Sequence, residues 1–214
     1  MIALLACNSE QKVRNLSASE QAAMDSAGID GGVTARLRTY VPEAFYLQTP
    51  EADVINARQG FPIAEHRARG VAFKVRPDLT RTRIAALAER IWPEGYAVYR
   101  SRIGNGGEPD ELCVLMTQQL DASILRYEQT DGINYSITTD SLIRILEDLD
   151  VQLTITGASH DWMEARIEQD VPDWNALAAK VYAHCPDVVD QGTGTVQALA
   201  EEMRRTKTLF LWWD

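Results

Sequence analysis

Val151 to Thr156 alternates strictly, with Val151, Leu153 and Ile155 set against Gln152, Thr154 and Thr156. After the turn Gly157-Ala158-Ser159-His160-Asp161, Trp162 to Glu168 alternates again, Met163, Ala165 and Ile167 opposing Trp162, Glu164 and Arg166. Side chains of a strand point to opposite faces at each step, so a two-residue period in both segments means a hairpin with one buried face. One-sided burial belongs to antiparallel sheets, because parallel strands lie under helices on both faces and read as continuous apolar runs. The buried face then requires other elements to cover it.

Around this hairpin the apolar period changes to that of a helix. Ile84, Leu87, Ala88 and Ile91 form one face of a helix opened by Asp78 or Thr80 and stopped at Pro93 and Gly95. Leu142, Ile145, Leu146 and Leu149 form a second, opened by Thr139-Asp140. Trp174, Leu177, Ala178 and Val181 form a third, which must end before Pro186. Val196, Leu199, Ala200 and Met203 form a fourth, with Thr195 as its cap, and another helix spans about residues 120–128. Tyr96 to Ile103 and Leu112 to Thr117 predict an earlier hairpin, Ala44 to Gln48 a short strand, and Leu209 to Trp213 a closing strand. The fold class is therefore α+β: a mainly antiparallel sheet built from two hairpins plus a C-terminal strand, with helices packed on it.

Residues 1–32 are polar and read as a tail or tether, with one short helix capped at Ser17 or Ser19, and residues 33–214 read as one domain. Leu4-Leu5-Ala6-Cys7 has the pattern that precedes a lipidated cysteine, but Met1 to Ala6 is shorter than a signal peptide's apolar region of about 7 to 15 residues. Two readings stand: a cell-envelope lipoprotein anchored at Cys7 whose start lies upstream, or a cytoplasmic protein. No apolar run reaches the roughly 20 residues of a membrane-spanning helix. The 31 acidic and 21 basic residues give a net charge of -10, which disfavours nucleic acid and favours a basic protein as partner. Cys7, Cys113 and Cys185 have neither the pairing of a disulfide framework nor the spacing of a zinc site, and no metal or cofactor motif is present.

Several separated motifs agree in order: Gly95-Tyr96-Ala97-Val98-Tyr99-Arg100-Ser101, Asp110-Glu111-Leu112 with Val114-Leu115, Ile124-Leu125-Arg126, Thr130-Asp131-Gly132 with Asn134-Tyr135, Cys185-Pro186-Asp187 with Asp190-Gln191-Gly192, and Leu211-Trp212-Trp213-Asp214. Together they resemble the bacterial family known as domain of unknown function 4253, over about residues 84–214. The resemblance implies a bacterial protein and supplies no reaction, cofactor or catalytic residue. Met116-Thr117-Gln118 departs from the Lys-Thr form of the family, which argues against a role for a lysine there.

The polar groups suggest two classes of function. Asp131, Asn134 and Tyr135 form a loop between helices with more hydrogen-bonding capacity than a chain reversal needs. With Arg100 and Glu111 of the first hairpin they make a candidate polar cleft. Asp187, Asp190 and Gln191, with Trp212, Trp213 and Asp214, make a candidate binding surface on which one tryptophan is core and its neighbour lies at a groove or interface. The first reading is a non-catalytic protein-binding module, of the kind that caps a toxin as an immunity protein, steered to a basic partner by its acidic surface. The alternative is a small hydrolase using Asp131, Tyr135 and His160. Gly192-Thr193-Gly194-Thr195 reads as a turn and helix cap, Cys185 as a buried helix-end residue, and His66, Arg67 and Arg69 as a solvated loop.

Overall fold

The computed structural model describes residues 15–63, 65, 69–117 and 120–213, so Cys7, His66, Arg67 and Asp214 lie outside the described residues. Its centre is a seven-stranded sheet in the order β1-β2-β4-β3-β5-β6-β7, formed by β1 (Tyr46–Leu47), β2 (Gly70–Val75), β3 (Tyr96–Arg102), β4 (Asp110–Met116), β5 (Leu153–Ala158), β6 (Trp162–Ile167) and β7 (Thr208–Trp212). Both expected hairpins are present, β3 with β4 and β5 with β6, and β7 closes on β6 with Leu211 opposite Met163. Every pairing is antiparallel except β3 with β5, which run parallel and meet at Arg100 and Gly157. Two antiparallel blocks thus share one seam, and the α+β class read from the sequence holds.

The two-residue period of the strands sorts the core into two layers. Val71, Phe73 and Val75 of β2, Tyr96 and Val98 of β3, and Leu112 and Val114 of β4 pack beneath α1 (Ala18–Ala27), α2 (Gly31–Tyr40) and α4 (Thr80–Ile91). The alternate residues Ala97, Tyr99, Cys113 and Leu115 join Ile155, Met163, Ala165, Leu209 and Leu211 on the opposite face. There they meet α5 (Leu120–Glu128), α6 (Thr139–Asp148), α7 (Trp174–His184) and α8 (Val196–Thr206). Gly70 is needed where β2 crosses this second layer, since a Cβ there would stand 2.4 Å from the Cys113 sulfur. Asp173 caps α7, and Thr195 caps α8 as expected, whereas α6 is capped by Thr138 rather than by the Thr139-Asp140 pair. Neither Asp78 nor Thr80 caps α4, because a 3-10 turn over Pro77–Leu79 leads straight into it and Thr80 sends its hydroxyl to Asp110 at 2.6 Å.

Residues 15–32 depart most from expectation. The polar composition predicts a tail, yet α1 and the start of α2 pack on the sheet through Met24, Ala27, Ile29 and Val33. The reason is one buried ion pair. Ser17 and Glu20 form a capping box at the start of α1, and the Glu20 carboxylate also takes the Arg38 guanidinium of α2 at 2.5 Å and the Phe45 amide at 3.2 Å. Arg38 in turn donates to the carbonyls of Val41 and Glu43 at 2.8 and 2.9 Å and lies 4.4 Å over the Phe45 ring. The polar residues that suggested solvent therefore satisfy one another inside the fold. α2, α3 (Glu51–Gln59) and β2 were not legible as elements, because their apolar residues are too few or too continuous to show a period.

Burial alone would raise the Glu20 pKa, but the Ser17 and Phe45 hydrogen bonds and Arg38 hold it down to about 2. A carboxylate held below its ordinary value contributes stability that is complete above about 4.5 and is lost as pH falls toward 2. Removing one partner of a buried pair costs about 3–5 kcal/mol. Urea unfolding of Glu20→Ala at neutral pH should show a loss of that size, with the difference from wild type shrinking as the pH is lowered.

Candidate functional site

α5 ends at Glu128, and Gln129 turns the chain with a φ of 56°. Two bonds then tie the chain to the β5–β6 turn: the Thr130 hydroxyl donates to the Ser159 carbonyl at 2.7 Å and the Asp131 amide to the His160 carbonyl at 2.9 Å. Gly132 and Ile137 exchange backbone hydrogen bonds at 2.9 and 3.1 Å and close a small ring over residues 133–136. Inside it Asp131 accepts from the Ile133 amide at 3.3 Å, and Ile133–Tyr135 winds into one 3-10 turn. The ring places Ile133, 65% exposed, and Tyr135, 39% exposed, on the outside. Asn134 is exposed beside them.

A second loop lies against this ring. After α7, Pro186 ends the helix and Val188–Thr193 forms a π-helical turn, a rare geometry that recurs at functional positions. Tyr135 donates its hydroxyl to Asp187 at 2.7 Å, Gln191 donates to the same carboxylate oxygen at 3.0 Å, and Tyr182 donates to Asp190 at 3.2 Å. The Asp187 carboxylate that accepts the Tyr135 hydrogen bond pushes that phenol up to about 12. Asp190 raises Tyr182 in the same way. Burial raises Asp131, while the neighbouring His160 opposes that shift. Cys185 is buried, donates its thiol to the Trp212 carbonyl at 3.0 Å and is pushed up to about 11 by burial, so it sits as an inert helix-end residue.

Both tryptophans hold this arrangement together. Trp213, 4% exposed, donates its backbone amide to the Asp161 carbonyl at 3.0 Å and its indole nitrogen to the His184 carbonyl at 3.3 Å. A Cβ on Gly132 would stand 2.8 Å from its ring, so only glycine admits the indole. Trp212 is half-buried and lies against Gly192 of the π-helical turn. Loops 129–137, 157–161 and 184–195 are thereby joined, and they carry Asp131, Asp161, Asp187 and Asp190 with no lysine or arginine.

The structure thus brings Tyr135 together with Asp187 and Gln191, and Asp131 beside His160, while Arg100 and Glu111 are engaged elsewhere. Arg100 pairs with Glu164, stands 3.7 Å from Asp110 and lies 5.5 Å over the Trp162 ring. Glu111 accepts from Tyr46 at 2.6 Å and Ser101 at 2.9 Å. A shallow groove between α4 and β5, lined by Ile84, Ala88, Trp92, Thr154, Thr156 and Arg166, shares no residue with the loop face. Sequence reasoning missed Glu128, which is fully buried and accepts from Tyr99 at 2.6 Å and Gln48 at 3.2 Å. Its only signal was a charge at the end of an otherwise amphipathic helix.

Fold and site define an α+β protein whose three C-terminal loops meet around Trp213 and carry an exposed isoleucine and tyrosine together with aspartates, of which Asp187 is buried. Residues 112–214 match the model of the family described as Domain of unknown function (DUF4253), in agreement with the resemblance read from the motifs, and all three loops fall inside the match. The motif from Gly95 to Ser101 and Arg100 with it lie before that match. No curated protein and no solved structure matches the chain.

In a phenol titration followed by ultraviolet difference absorbance, Tyr135 should titrate near 12. Asp187→Asn should return it toward the ordinary tyrosine value, and a wild-type midpoint that ignores this substitution would contradict the contact.

Proposed function

We propose that this protein is a non-catalytic binding module that holds a basic protein on the face built by loops 129–137, 157–161 and 184–195. The observation that carries the reading is that exposed Ile133 and Tyr135 stand on loops that carry four aspartates and no lysine or arginine, with Asp161 and Asp190 exposed. Interfaces take most of their energy from a few apolar and aromatic anchors, and surrounding charge of one sign accelerates encounter with the opposite sign. The ring closed by Gly132 and Ile137 orders these anchors before a partner arrives, which lowers the entropy cost of association. An immunity-type role, in which the acidic face caps a basic toxin, is the form of binding we favour.

The hydrolase reading draws on Asp131 beside His160. It is the weaker of the two, because the Tyr135 hydroxyl is already donated to Asp187 and Asp131 accepts from the Ile133 amide.

Tagged protein recovered from its native host at moderate salt, followed by reconstitution with the purified partner, tests the proposal. The expected partner is basic and stoichiometric, and Ile133→Arg and Tyr135→Ala each weaken it by about 30-fold, the effect of a hot-spot residue. A partner whose affinity ignores both substitutions would move the interface elsewhere. Hydrolysis of a substrate abolished by Asp131→Ala would replace the binding reading with the enzymatic one.

A further inference from the structure

Away from the loop face, a second set of polar groups is enclosed between β1, β3, β4, the end of α5 and the first turn of α3. Glu128 is at its centre. One of its carboxyl oxygens, Oε1, accepts from Tyr99 at 2.6 Å and from the Gln48 amide nitrogen at 3.2 Å. The other, Oε2, is buried with no hydrogen-bond partner among the described residues, and so is the Gln48 carbonyl oxygen Oε1. The titratable groups facing Glu128 are Glu51 and Asp53 from α3, Glu111 and Cys113 from β4, Tyr99 from β3 and Tyr127 from α5. Tyr46 of β1 reaches the cluster through Glu111. Positive charge comes from Arg102, 3.9 Å from Glu111 and half-exposed, and from exposed Lys74, opposite Glu111 in register.

α3 is held over this set by polar contacts. Ser159 donates to Glu51 at 2.9 Å and Gln129 to Asp53 at 2.9 Å, and of the helix itself only Ala52 and Asp53 are buried. Its N-cap residue Pro50 supplies no side-chain hydrogen bond. Without an apolar stripe, the docking of α3 depends on the charge state of what lies beneath it.

We propose that α3 is a strap clasped by the neutral form of Glu128 and released when Glu128 ionises, opening the chamber that holds Tyr99 and Cys113. The chemistry lies in the two orphan oxygens. A neutral carboxyl carries a hydroxyl, which turns Oε2 from an acceptor into a donor and offers the Gln48 oxygen the partner it lacks. Ionisation restores two buried acceptors with no proton between them and adds a negative charge beside Glu51, Asp53 and Glu111. Each effect disfavours the closed strap. Burial, with Glu111, Glu51 and Asp53 adding to it and the Tyr99 hydrogen bond opposing, pushes Glu128 up to about 8, so the neutral form prevails at pH 7. A carboxyl raised in the closed state favours closure below its ordinary pKa and loses that contribution as pH rises through about 8.

Hydrogen exchange of the full chain across pH 6.5 to 9.5, corrected for intrinsic exchange, reads this directly. In wild type the protection of residues 51–59 should fall by about tenfold per pH unit up to about 8 and level off above it, while β4 keeps its protection. Glu128→Gln, which places a neutral donor where the hydroxyl was, should hold α3 closed throughout. Equal behaviour of α3 in both proteins, or no pH dependence in wild type, overturns the proposal. If Glu128→Gln does not fold, the infrared band of a protonated carboxyl in wild type serves instead. It should disappear at the pH where α3 opens, and separate midpoints refute the clasp.

Discussion

The loop face depends on where one indole ring sits. Trp213 fills the space that Gly132 leaves, and its two nitrogens fix Asp161 and His184 through their carbonyls. Burying an aromatic of that size removes roughly 200 Å² from water and is worth on the order of 5 kcal/mol. Ordering a backbone costs about 1–2 kcal/mol per residue, so the ring alone accounts for only a few residues of loop. The internal bonds of loop 129–137, the Gly132–Ile137 pair and the two bonds to Ser159 and His160 complete the ordering. Tryptophan and hydrogen bonds are jointly required: the first sets where the loops meet, the second sets their shape.

Two buried carboxylates show how the same side chain reaches opposite charge states in one fold. Glu20 is ringed by donors, Ser17, Phe45 and the Arg38 guanidinium, and stays ionised far below neutral pH. Glu128 receives one phenol and one amide, has among the described residues no cation in contact and three carboxylates nearby, and holds its proton to about 8. The difference lies in the donors supplied by neighbouring elements. Glu20 joins α1 to α2 as an ion pair, whereas Glu128 joins α5 to the segment preceding α3 as a neutral acid.

Half of the architecture was legible because it is periodic. The alternation around Gly157-Ala158-Ser159-His160-Asp161 located β5 and β6, and the 3.6-residue faces of α4, α6, α7 and α8 were readable for the same reason. What escaped is aperiodic. β2 reads Gly-Val-Ala-Phe-Lys-Val and is buried at nearly every position, so it shows no alternation. The Glu20–Arg38 pair is built from residues that composition assigns to solvent, and no local pattern announces a partner 18 positions away. At the site, Asp131, Tyr135, Asp187 and Gln191 stood out singly as residue types. That Tyr135 reaches Asp187 across 52 positions is a product of the sheet order and of Trp213. Arg100 and Glu111 were grouped with the loop on residue type alone, and the ladder gave each of them nearer partners.

Amide exchange of Gly132 and Ile137 in Trp213→Ala, compared with wild type, tests most directly whether the loop face is preformed and held by this one residue. The account predicts that both amides lose at least about tenfold of their protection, a little over 1 kcal/mol, while Phe73 and Leu112 in the other core layer keep theirs. Unchanged protection at Gly132 and Ile137 would mean that the ring stands without the indole, and the central role given to Trp213 would be wrong.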